Sequence, residues 1–297
     1  MDIQPIDLKF CGSPEVIASY LIRGDGNPVV VETGPGSTLN SLRKGLEGFD
    51  LSFEDISDVF VTHIHLDHSG GAWALAEAGA LVHVPRPGAR HVIDPERLVE
   101  SARMVYGDRF DELWGDVRGV IEEKVNALED EQRVEAGGLT FHCWDSHGHA
   151  KHHQVFGVGD NAFVGDVVGC RLPGQKFIAL TSAPPQFDPE AWSHTLTKLE
   201  AQNYRRIYPP HFGPVEDVTD HIRRYRSIVA TTSELVRRLV VSQASDDEVR
   251  TEFREFARER ADRDGLTEED WQRYESANPS DMCADGVALY WRKKLAE

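Results

Sequence analysis

The sequence predicts an α+β protein with a domain of alternating strands and helices over residues 1–217 and a helical appendage over residues 218–297. Through the first part, short apolar runs recur between glycine and proline residues, which is the pattern of buried strands. After residue 218 these runs stop, and aromatic residues recur among many charged ones. Because disordered tails rarely hold so many aromatic residues, we expect the appendage to fold as helices packed on the main domain.

The apolar runs predict the strands of the domain, and spacing and capping residues predict its helices. Strands are expected at 16–22, 29–32, 57–62, 81–84, 139–144, 154–158, 162–165 and 206–208. Helices are expected from about 38 to 48, from 72 to 78 and after Asp188-Pro189. In the appendage, Ser245 and Thr267 are suitable helix caps, and Asn278-Pro279 interrupts the helical pattern.

Residues 94–128 break the alternation and are predicted to form a helical insertion. One helix is expected after Asp94-Pro95, and a second from about 116 to 128. Large apolar side chains recur at helical spacing in the first part of the insertion: Met104, Tyr106, Phe110 and Trp114. Two interpretations stay open. Either the segment is a lid whose aromatic residues Tyr106, Phe110 and Trp114 bind substrate, or it only packs on the core.

The most informative segment is Val61-Thr62-His63-Ile64-His65-Leu66-Asp67-His68, which directly follows a predicted strand. His63 and His65 are two residues apart on an extended segment, so they project from the same side and can grip one metal ion. Asp67 and His68 lie where the strand pattern gives way to a turn, which suits a second ion. Imidazole and carboxylate without thiolate are typical of a zinc, iron or manganese site. The alternative is a surface histidine cluster that binds metal incidentally.

Further ligand candidates follow other predicted strands. His149 comes after the strand at 139–144, Asp166 after the strand at 162–165, and His211 after the strand at 206–208. Side chains at strand ends are held rigidly, as a catalytic site requires. The histidines that flank His149 could orient a ligand, touch substrate or simply belong to the loop: His147, His152 and His153.

Taken together, these motifs resemble those of the metallo-β-lactamase superfamily over roughly residues 15 to 215. The resemblance rests on His63-Ile64-His65-Leu66-Asp67-His68, Gly148-His149, Val164-Gly165-Asp166 and Pro210-His211 in that order. It implies a four-layer αββα sandwich with the metals at one edge of the two sheets. It also implies that a first ion is held by His63, His65 and His149 and a second by Asp67, His68 and His211, with Asp166 bridging the two.

The chain departs from the family pattern at a few positions. Glu32 stands where the family often has Asp, and His147 stands where a proline usually precedes the Gly-His pair. Zinc β-lactamases often carry Cys or Ser in place of the bridging carboxylate. Asp166 therefore argues against hydrolysis of antibiotics.

Composition limits the partners that the protein can have. The net charge of −18 argues against nucleic acid as the main partner. The sequence has no apolar run near the roughly 20 residues that span a bilayer, and its start resembles no signal peptide. The four cysteines are scattered, as in a reduced cytoplasmic protein. We therefore expect a cytoplasmic enzyme with a small-molecule substrate and no membrane or nucleic-acid partner, and a homodimer is left open.

These observations predict a binuclear metallo-hydrolase that uses a metal-bridging hydroxide to cleave a small ester, lactone or thioester. The cofactors would be two divalent metal ions, with zinc the first choice and iron or manganese the alternatives. Asp67 would also be catalytic, by steering the proton of the nucleophile. Two other classes stay open: an iron-dependent oxidoreductase on the same fold, and a phosphodiesterase. A binding protein without catalysis is a poorer fit, because the ligand set is intact.

Overall fold

The computed structural model describes residues 1–296, which form two units. The first unit comprises residues 1–145 and 152–165, and the second comprises residues 146–151 and 166–296. The chain therefore passes between the units at the short segment around His149 and again at Asp166. The predicted domain boundary near residue 217 stays a prediction.

The strands of the first unit belong to two sheets. The strands are β1 (Asp2–Asp7), β2 (Ala18–Arg23), β3 (Val29–Val31), β4 (Asp58–Phe60), β5 (Leu81–Pro85), β6 (Val125–Leu128), β7 (Gln132–Ala136), β8 (Leu139–Asp145), β9 (Gln154–Val158) and β10 (Asn161–Phe163). The first sheet has the order β1-β2-β3-β4-β5-β6, and β3 to β6 run parallel. In the second sheet, β7 to β10 pair with their sequence neighbours in antiparallel fashion.

The core of the first unit lies between the two sheets. Phe60 of the first sheet stacks on Phe141 of the second, with ring centroids 4.2 Å apart. Tyr20 and Phe163 make a similar contact at 5.5 Å. These rings are among the largest fully buried side chains of the protein. Truncating such a ring to alanine typically costs about 3–5 kcal/mol, so this aromatic layer anchors the strand that leads to the histidine cluster.

Short helices complete the first unit. They are α1 (Leu39–Glu47), α2 (Leu66–Ser69), α3 (Ala72–Glu77), α4 (Arg86–Ile93), α5 (Glu96–Tyr106) and α6 (Phe110–Trp114). The predicted helices near 38–48 and 72–78 are confirmed as α1 and α3. On α1, Leu42 and Leu46 are buried four residues apart, which is the spacing of one helical face.

The predicted helix from about 116 to 128 is wrong. Only a single 3-10 turn, Glu122–Lys124, forms there, and Val125–Leu128 is strand β6. β6 pairs in parallel with β5, and its last residue, Leu128, is fully buried. Pairing with a neighbouring strand outweighs a weak helical pattern in so short a segment. The helical part of the insertion is therefore α5 and α6 alone.

Besides β6, two strands were not predicted from the sequence. β1 carries Asp, Gln and Pro and lies at the edge of its sheet, where proline is tolerated. β7 alternates buried and exposed residues over only five positions. Neither strand has an apolar run of its own, so each forms because it pairs with a neighbouring strand, β1 with β2 and β7 with β8.

The second unit is mainly helical. It contains α7 (Pro189–Ala201), the short strand β11 (Arg206–Tyr208), α8 (Val218–Val241), α9 (Asp246–Arg263), α10 (Glu268–Ala277) and α11 (Ser280–Ala296). The predicted caps are confirmed: Asp188, Ser245 and Thr267 each accept a hydrogen bond from a backbone N–H of the first helical turn. Among residues 1–296, no helix is long and apolar enough to cross a membrane.

The helices of the appendage share a hydrophobic cluster with the segment that follows Asp166. Cys170, Phe177, Trp271 and Tyr274 are buried in it. The Tyr274 hydroxyl donates to the Phe177 carbonyl over 2.9 Å and accepts from the backbone N–H of Leu172. The predicted helical C-terminal region is thus confirmed. Its helices pack on the segment that follows Asp166, and the buried hydroxyl of Tyr274 has hydrogen-bond partners.

Candidate metal centre

The histidine cluster of the first unit follows β4 and leads directly into helix α2. Thr33 holds this turn in place, because its backbone N–H and its hydroxyl both donate to the carbonyl of His68 over 2.9 Å. The side chains of His63 and His68 are buried, whereas His65 and Asp67 are partly exposed. His63 and His68 are therefore enclosed by the protein, whereas His65 and Asp67 can be reached by solvent.

His63 has a defined orientation and tautomer. Its Nδ1 lies 3.1 Å from the Thr62 hydroxyl, which donates its own proton to the Glu32 carboxylate. Because a hydroxyl has only one proton, the Thr62 oxygen must accept from His63 Nδ1–H. His63 Nε2 then carries the lone pair, which is the form of the ring that binds metal, and this nitrogen lies 3.0 Å from Nδ1 of His65.

The second pair of candidate ligands in this unit is Asp67 and His68. Nε2 of His68 lies 3.3 Å from the Asp67 carboxylate. On the other side of the ring, Nδ1 lies 3.3 Å from Oε1 of Glu32. A carboxylate behind a ligand histidine fixes the ring and raises its basicity, which is the usual arrangement in metal sites.

In the second unit, a glycine turn positions His149. Gly148 has a φ of +132°, and a Cβ at this position would lie 2.6 Å from Trp192. Nδ1–H of His149 donates to the carbonyl of Thr181 over 3.0 Å. In the neutral ring, this bond leaves Nε2 of His149 unprotonated. That nitrogen lies 3.7 Å from Oδ2 of Asp166.

Asp166 faces a second histidine with its other oxygen. Oδ1 lies 3.6 Å from Nε2 of His211. All three side chains are buried, with exposures of 5% for Asp166, 2% for His149 and 1% for His211. One carboxylate thus presents each of its two oxygens to a different imidazole, as a bridge between two ions requires.

The carboxylate–imidazole distances in these groups fit metal binding better than direct hydrogen bonding. The carboxylate–imidazole separations of 3.3, 3.6 and 3.7 Å are longer than the usual hydrogen bond. Two ligands about 2.0 to 2.2 Å from one tetrahedral ion would lie about 3.4 Å apart. The first unit supplies four His and Asp side chains that could bind metal, and the second unit supplies three. The donors are nitrogen and oxygen only, a set that suits zinc, iron or manganese.

Cys170 does not belong to this donor set. It is fully buried in the hydrophobic cluster beside Phe177, and burial raises the pKa of its thiol well above the usual value. A thiol in such surroundings stays protonated and is a poor metal ligand.

The proposed substrate residues form an aromatic group on α5 and α6. The rings of Tyr106 and Trp114 meet edge to face at 5.0 Å, and Trp114 stacks on Phe10 at 5.9 Å. Phe110 is 1% exposed and lies beneath the guanidinium of Arg103. Met104, by contrast, is 82% exposed. The substrate-binding role of Tyr106, Phe110 and Trp114 stays a prediction.

Two of the flanking histidines lie beside the cluster of the first unit. The ring of His153 is 4.8 Å from that of His63, and the ring of His152 is 5.5 Å from that of His65. Both are buried.

Sequence reasoning did not identify the residues that orient the ligands. Glu32, Thr62 and Thr181 contact the nitrogens of His68, His63 and His149 that face away from the neighbouring donors. The one available signal was Glu32, a charged residue at the end of an otherwise apolar run. Nothing in the local sequence marks Thr181, because its carbonyl lies 32 residues from the histidine that it contacts.

Comparison with known proteins places these residues in a family context. The family model described as the metallo-beta-lactamase superfamily matches residues 12–211, which include all the candidate ligands. The chain is 26% identical over 190 residues to the metallo-beta-lactamase fold-containing protein ST1585 of Sulfurisphaera tokodaii, an alignment that covers 62% of this chain and 68% of the relative. A stretch of 126 residues is 29% identical to ribonuclease Z of Bradyrhizobium diazoefficiens and covers 42% of this chain and 38% of that protein.

A solved structure extends the likeness to the C-terminal helices. The metallo-beta-lactamase family protein TTHA1429 of Thermus thermophilus matches with a TM-score of 0.66 at 18% identity. The match covers 99% of this chain and 94% of the other. At this identity the likeness shows the fold alone, and it confirms the α+β sandwich with its helical C-terminal region.

Proposed function

This chain belongs to the metallo-β-lactamase superfamily, and we propose that within it the protein is a binuclear metal-dependent hydrolase of a small ester, lactone or thioester. One observation carries the proposal: the two oxygens of Asp166 face His149 and His211 separately, at 3.7 and 3.6 Å. A carboxylate in that arrangement is suited to bridge two ions. A structural ion pair would instead bring one histidine to direct hydrogen-bonding distance.

In this proposal, three of the ligand histidines, His63, His68 and His149, are oriented by a neighbouring residue. His63, His65 and His149 would hold one ion, and Asp67, His68 and His211 the other. Thr62 and Thr181 keep Nδ1 of His63 and His149 protonated, so that Nε2 of each ring can bind. Two bound divalent ions would activate water and polarise the substrate carbonyl.

Asp67 is the residue best suited to handle the proton of the attacking water. Its carboxylate is partly exposed, with 18% of the side chain accessible, whereas the side chain of neighbouring His68 is fully buried. An accessible carboxylate can accept a proton and pass it to solvent, which a buried imidazole bound to metal cannot do.

The choice of substrate rests on the surroundings of the site. The α5–α6 segment supplies large aromatic side chains, and the protein as a whole carries a net charge of −18. A neutral substrate with an apolar part meets less repulsion there than a polyanion does. Esters, lactones and thioesters have this character, and their hydrolysis requires only an activated water and a polarised carbonyl.

A phosphodiesterase is the second candidate, because a segment of the chain resembles ribonuclease Z. The donors that could hold two ions would serve phosphoryl transfer as well as acyl transfer. The acidic charge of the protein disfavours a nucleic-acid substrate but leaves small phosphodiesters open.

The decisive experiment is a substrate panel on one sample of metal-loaded protein: an aryl ester, a lactone, a thioester and bis(p-nitrophenyl) phosphate. Reactions run under nitrogen in oxygen-18 water, and the product acid is analysed by mass spectrometry. We expect turnover without oxygen and the label in the carboxylic acid. Preference for the phosphodiester would favour the second candidate. Activity that requires iron and consumes dissolved oxygen would instead identify an oxidoreductase.

A further inference from the structure

The backbone that carries Asp166 is held by three side chains of the second unit. Asp166 and the two residues after it end a 3-10 turn, and the carbonyl of each accepts a hydrogen bond from a buried side chain. Three bonds of 2.7, 2.8 and 2.9 Å do this, in order: the Thr181 hydroxyl to Asp166, the Trp192 indole to Val167 and Nε2–H of His221 to Val168. Because three consecutive carbonyls are bonded, the backbone at Asp166 has a fixed position and direction.

The hydroxyl of Thr181 is itself oriented by Tyr225 of α8. The two hydroxyl oxygens lie 3.2 Å apart, and both side chains are buried. Because Thr181 donates its only proton to the Asp166 carbonyl, the Tyr225 hydroxyl must be the donor to Thr181. The chain of donors therefore runs from α8 to the backbone of Asp166.

The ring of Tyr225 also packs directly on the segment that follows Asp166. Gly169 has a φ of +77°, and a Cβ at this position would lie 2.4 Å from the Tyr225 ring. One turn earlier on the same face of α8, His221 reaches the carbonyl of Val168. Helix α8 therefore holds this segment at two points.

Thr181 links two candidate ligands of the second unit. Its hydroxyl binds the backbone of Asp166, and its carbonyl accepts from Nδ1–H of His149 over 3.0 Å. A shift of Thr181 would therefore change the distance between the Asp166 carboxylate and Nε2 of His149, which is 3.7 Å. Metal sites tolerate such shifts poorly, since their ligands lie within about 0.2 Å of the ideal distances.

We propose that Tyr225 is a positioning residue of the metal centre, which acts through the Thr181 hydroxyl on the placement of Asp166. The inference rests on the binuclear centre of the proposed function. Tyr225 lies beyond residue 211, where the match to the family model ends. The helical C-terminal region would thus contribute to the metal centre as well as to the stability of the fold.

The first test compares Thr181→Val with Thr181→Ser in the full-length protein. Valine keeps the shape and the backbone carbonyl that binds His149, but it lacks the hydroxyl that binds Asp166. Thr181→Val should weaken binding of the more weakly held zinc ion by about tenfold. Thr181→Ser keeps the hydroxyl and should stay within about twofold of the parent affinity. Competition with a chromophoric chelator measures both.

Tyr225→Phe tests the other end of the chain of donors. It keeps the ring on Gly169 and removes only the hydroxyl, so zinc affinity should fall by about fivefold. In protein loaded with cobalt(II), the visible absorption bands report the geometry of the ligands. These bands should change in Tyr225→Phe and Thr181→Val and match those of the parent in Thr181→Ser.

Thr232→Val is the matched control. It removes a hydroxyl from a position of α8 that is 2% exposed, and that hydroxyl has no hydrogen-bond partner among residues 1–296. Zinc affinity and the cobalt(II) bands should therefore be those of the parent. Thermal unfolding of every variant separates a loss of stability from a change at the metal centre.

Two results would overturn the positioning role while the parent binds two ions. One is unchanged affinity and bands in Tyr225→Phe, which decides alone if Thr181→Val does not fold. The other is an equal loss of affinity in Thr232→Val, which would assign the effect to general destabilisation. Neither result bears on the hydrolase proposal, since turnover of the substrate panel tests that proposal and the metal measurements contain no substrate.

Discussion

Glu32 Oε1 lies 3.3 Å from Nδ1 of His68, and both side chains are almost fully buried. The same carboxylate accepts hydrogen bonds from the hydroxyl and the backbone N–H of Thr62, which in turn orients His63. One acidic residue at the end of β3 therefore connects two neighbouring candidate ligands. Since removing a carboxylate behind a ligand histidine typically weakens metal binding, this contact leads to a direct prediction.

Replacing Glu32 with Gln should weaken the binding of the ion held by His68 by about 10- to 100-fold while the fold survives. The measurement is metal affinity by competition with a chromophoric chelator. Glu47→Gln is the control, because Glu47 is exposed at the end of α1. Equal affinities in the two variants would mean that Glu32 has no part in positioning His68.

The purified protein should carry close to two transition-metal ions per chain. Because the ligand histidines must be neutral to bind, the ions should be lost progressively below about pH 5 as these rings are protonated. Inductively coupled plasma mass spectrometry across a pH series measures both quantities. A protein that saturates with one ion, and shows no anomalous scattering near Asp67 or His211, would contradict a binuclear centre.

Asp166→Asn should lower occupancy of the second ion and reduce turnover by several powers of ten, because an amide cannot bridge two cations with two charged oxygens. Thermal unfolding checks that the fold is retained. Asp160→Asn makes the same change at an exposed position in the turn before β10, and it should have little effect. Similar losses in both variants would rule out a special role for Asp166.

The segment 98–118, which includes most of α5 and all of α6, is predicted to be a lid that sets substrate choice. Tyr106→Ala and Trp114→Ala should change the ranking of substrates in the panel and leave metal content intact, because both rings belong to one aromatic group. Met104→Ala is the matched control, since Met104 is 82% exposed on the same helix. If both Tyr106→Ala and Trp114→Ala unfold the protein and the ranking of substrates does not change, the segment only packs on the core.

His221 should make the metal-free protein less stable in acid. Its Nε2–H donates to Val168, and burial lowers its pKa from 6.5 to about 4. The unfolded chain therefore takes up this proton at a higher pH than the folded chain does. The contribution of neutral His221 to the free energy of unfolding is therefore fully present above about pH 6.5. It is lost as the pH falls toward 4, a change on the order of 3 kcal/mol.

Urea unfolding of metal-free protein at about pH 7.5 and about pH 5 measures this effect. His221→Gln removes the titrating group, so the difference in free energy of unfolding between the two pH values should shrink. His194→Gln, at an exposed position, should leave the difference as it is in the parent protein. The same pH dependence in all three proteins would assign acid instability to other groups.

Local patterns were sufficient for much of the fold. The apolar runs that became β2, β4, β5 and β9 are short, bounded by turn residues and buried, so periodicity alone identified them. The caps at Asp188, Ser245 and Thr267 were readable because a cap is a contact between residues only three positions apart. β6 was misread because its identity depends on pairing with β5, and a local pattern cannot report a partner more than 40 residues away.

Some features of the candidate site could be predicted from local sequence, and others depend on the tertiary structure. The residue types and order of His63, His65, Asp67 and His68 indicated metal chemistry, because ligands close together in sequence show their spacing directly. Only the tertiary structure brought Thr181 to His149, and turned the two oxygens of Asp166 toward different histidines. Sequence by itself determined which chemistry the chain can carry, and folding decided which atoms face each other, since those contacts join segments that are far apart along the chain.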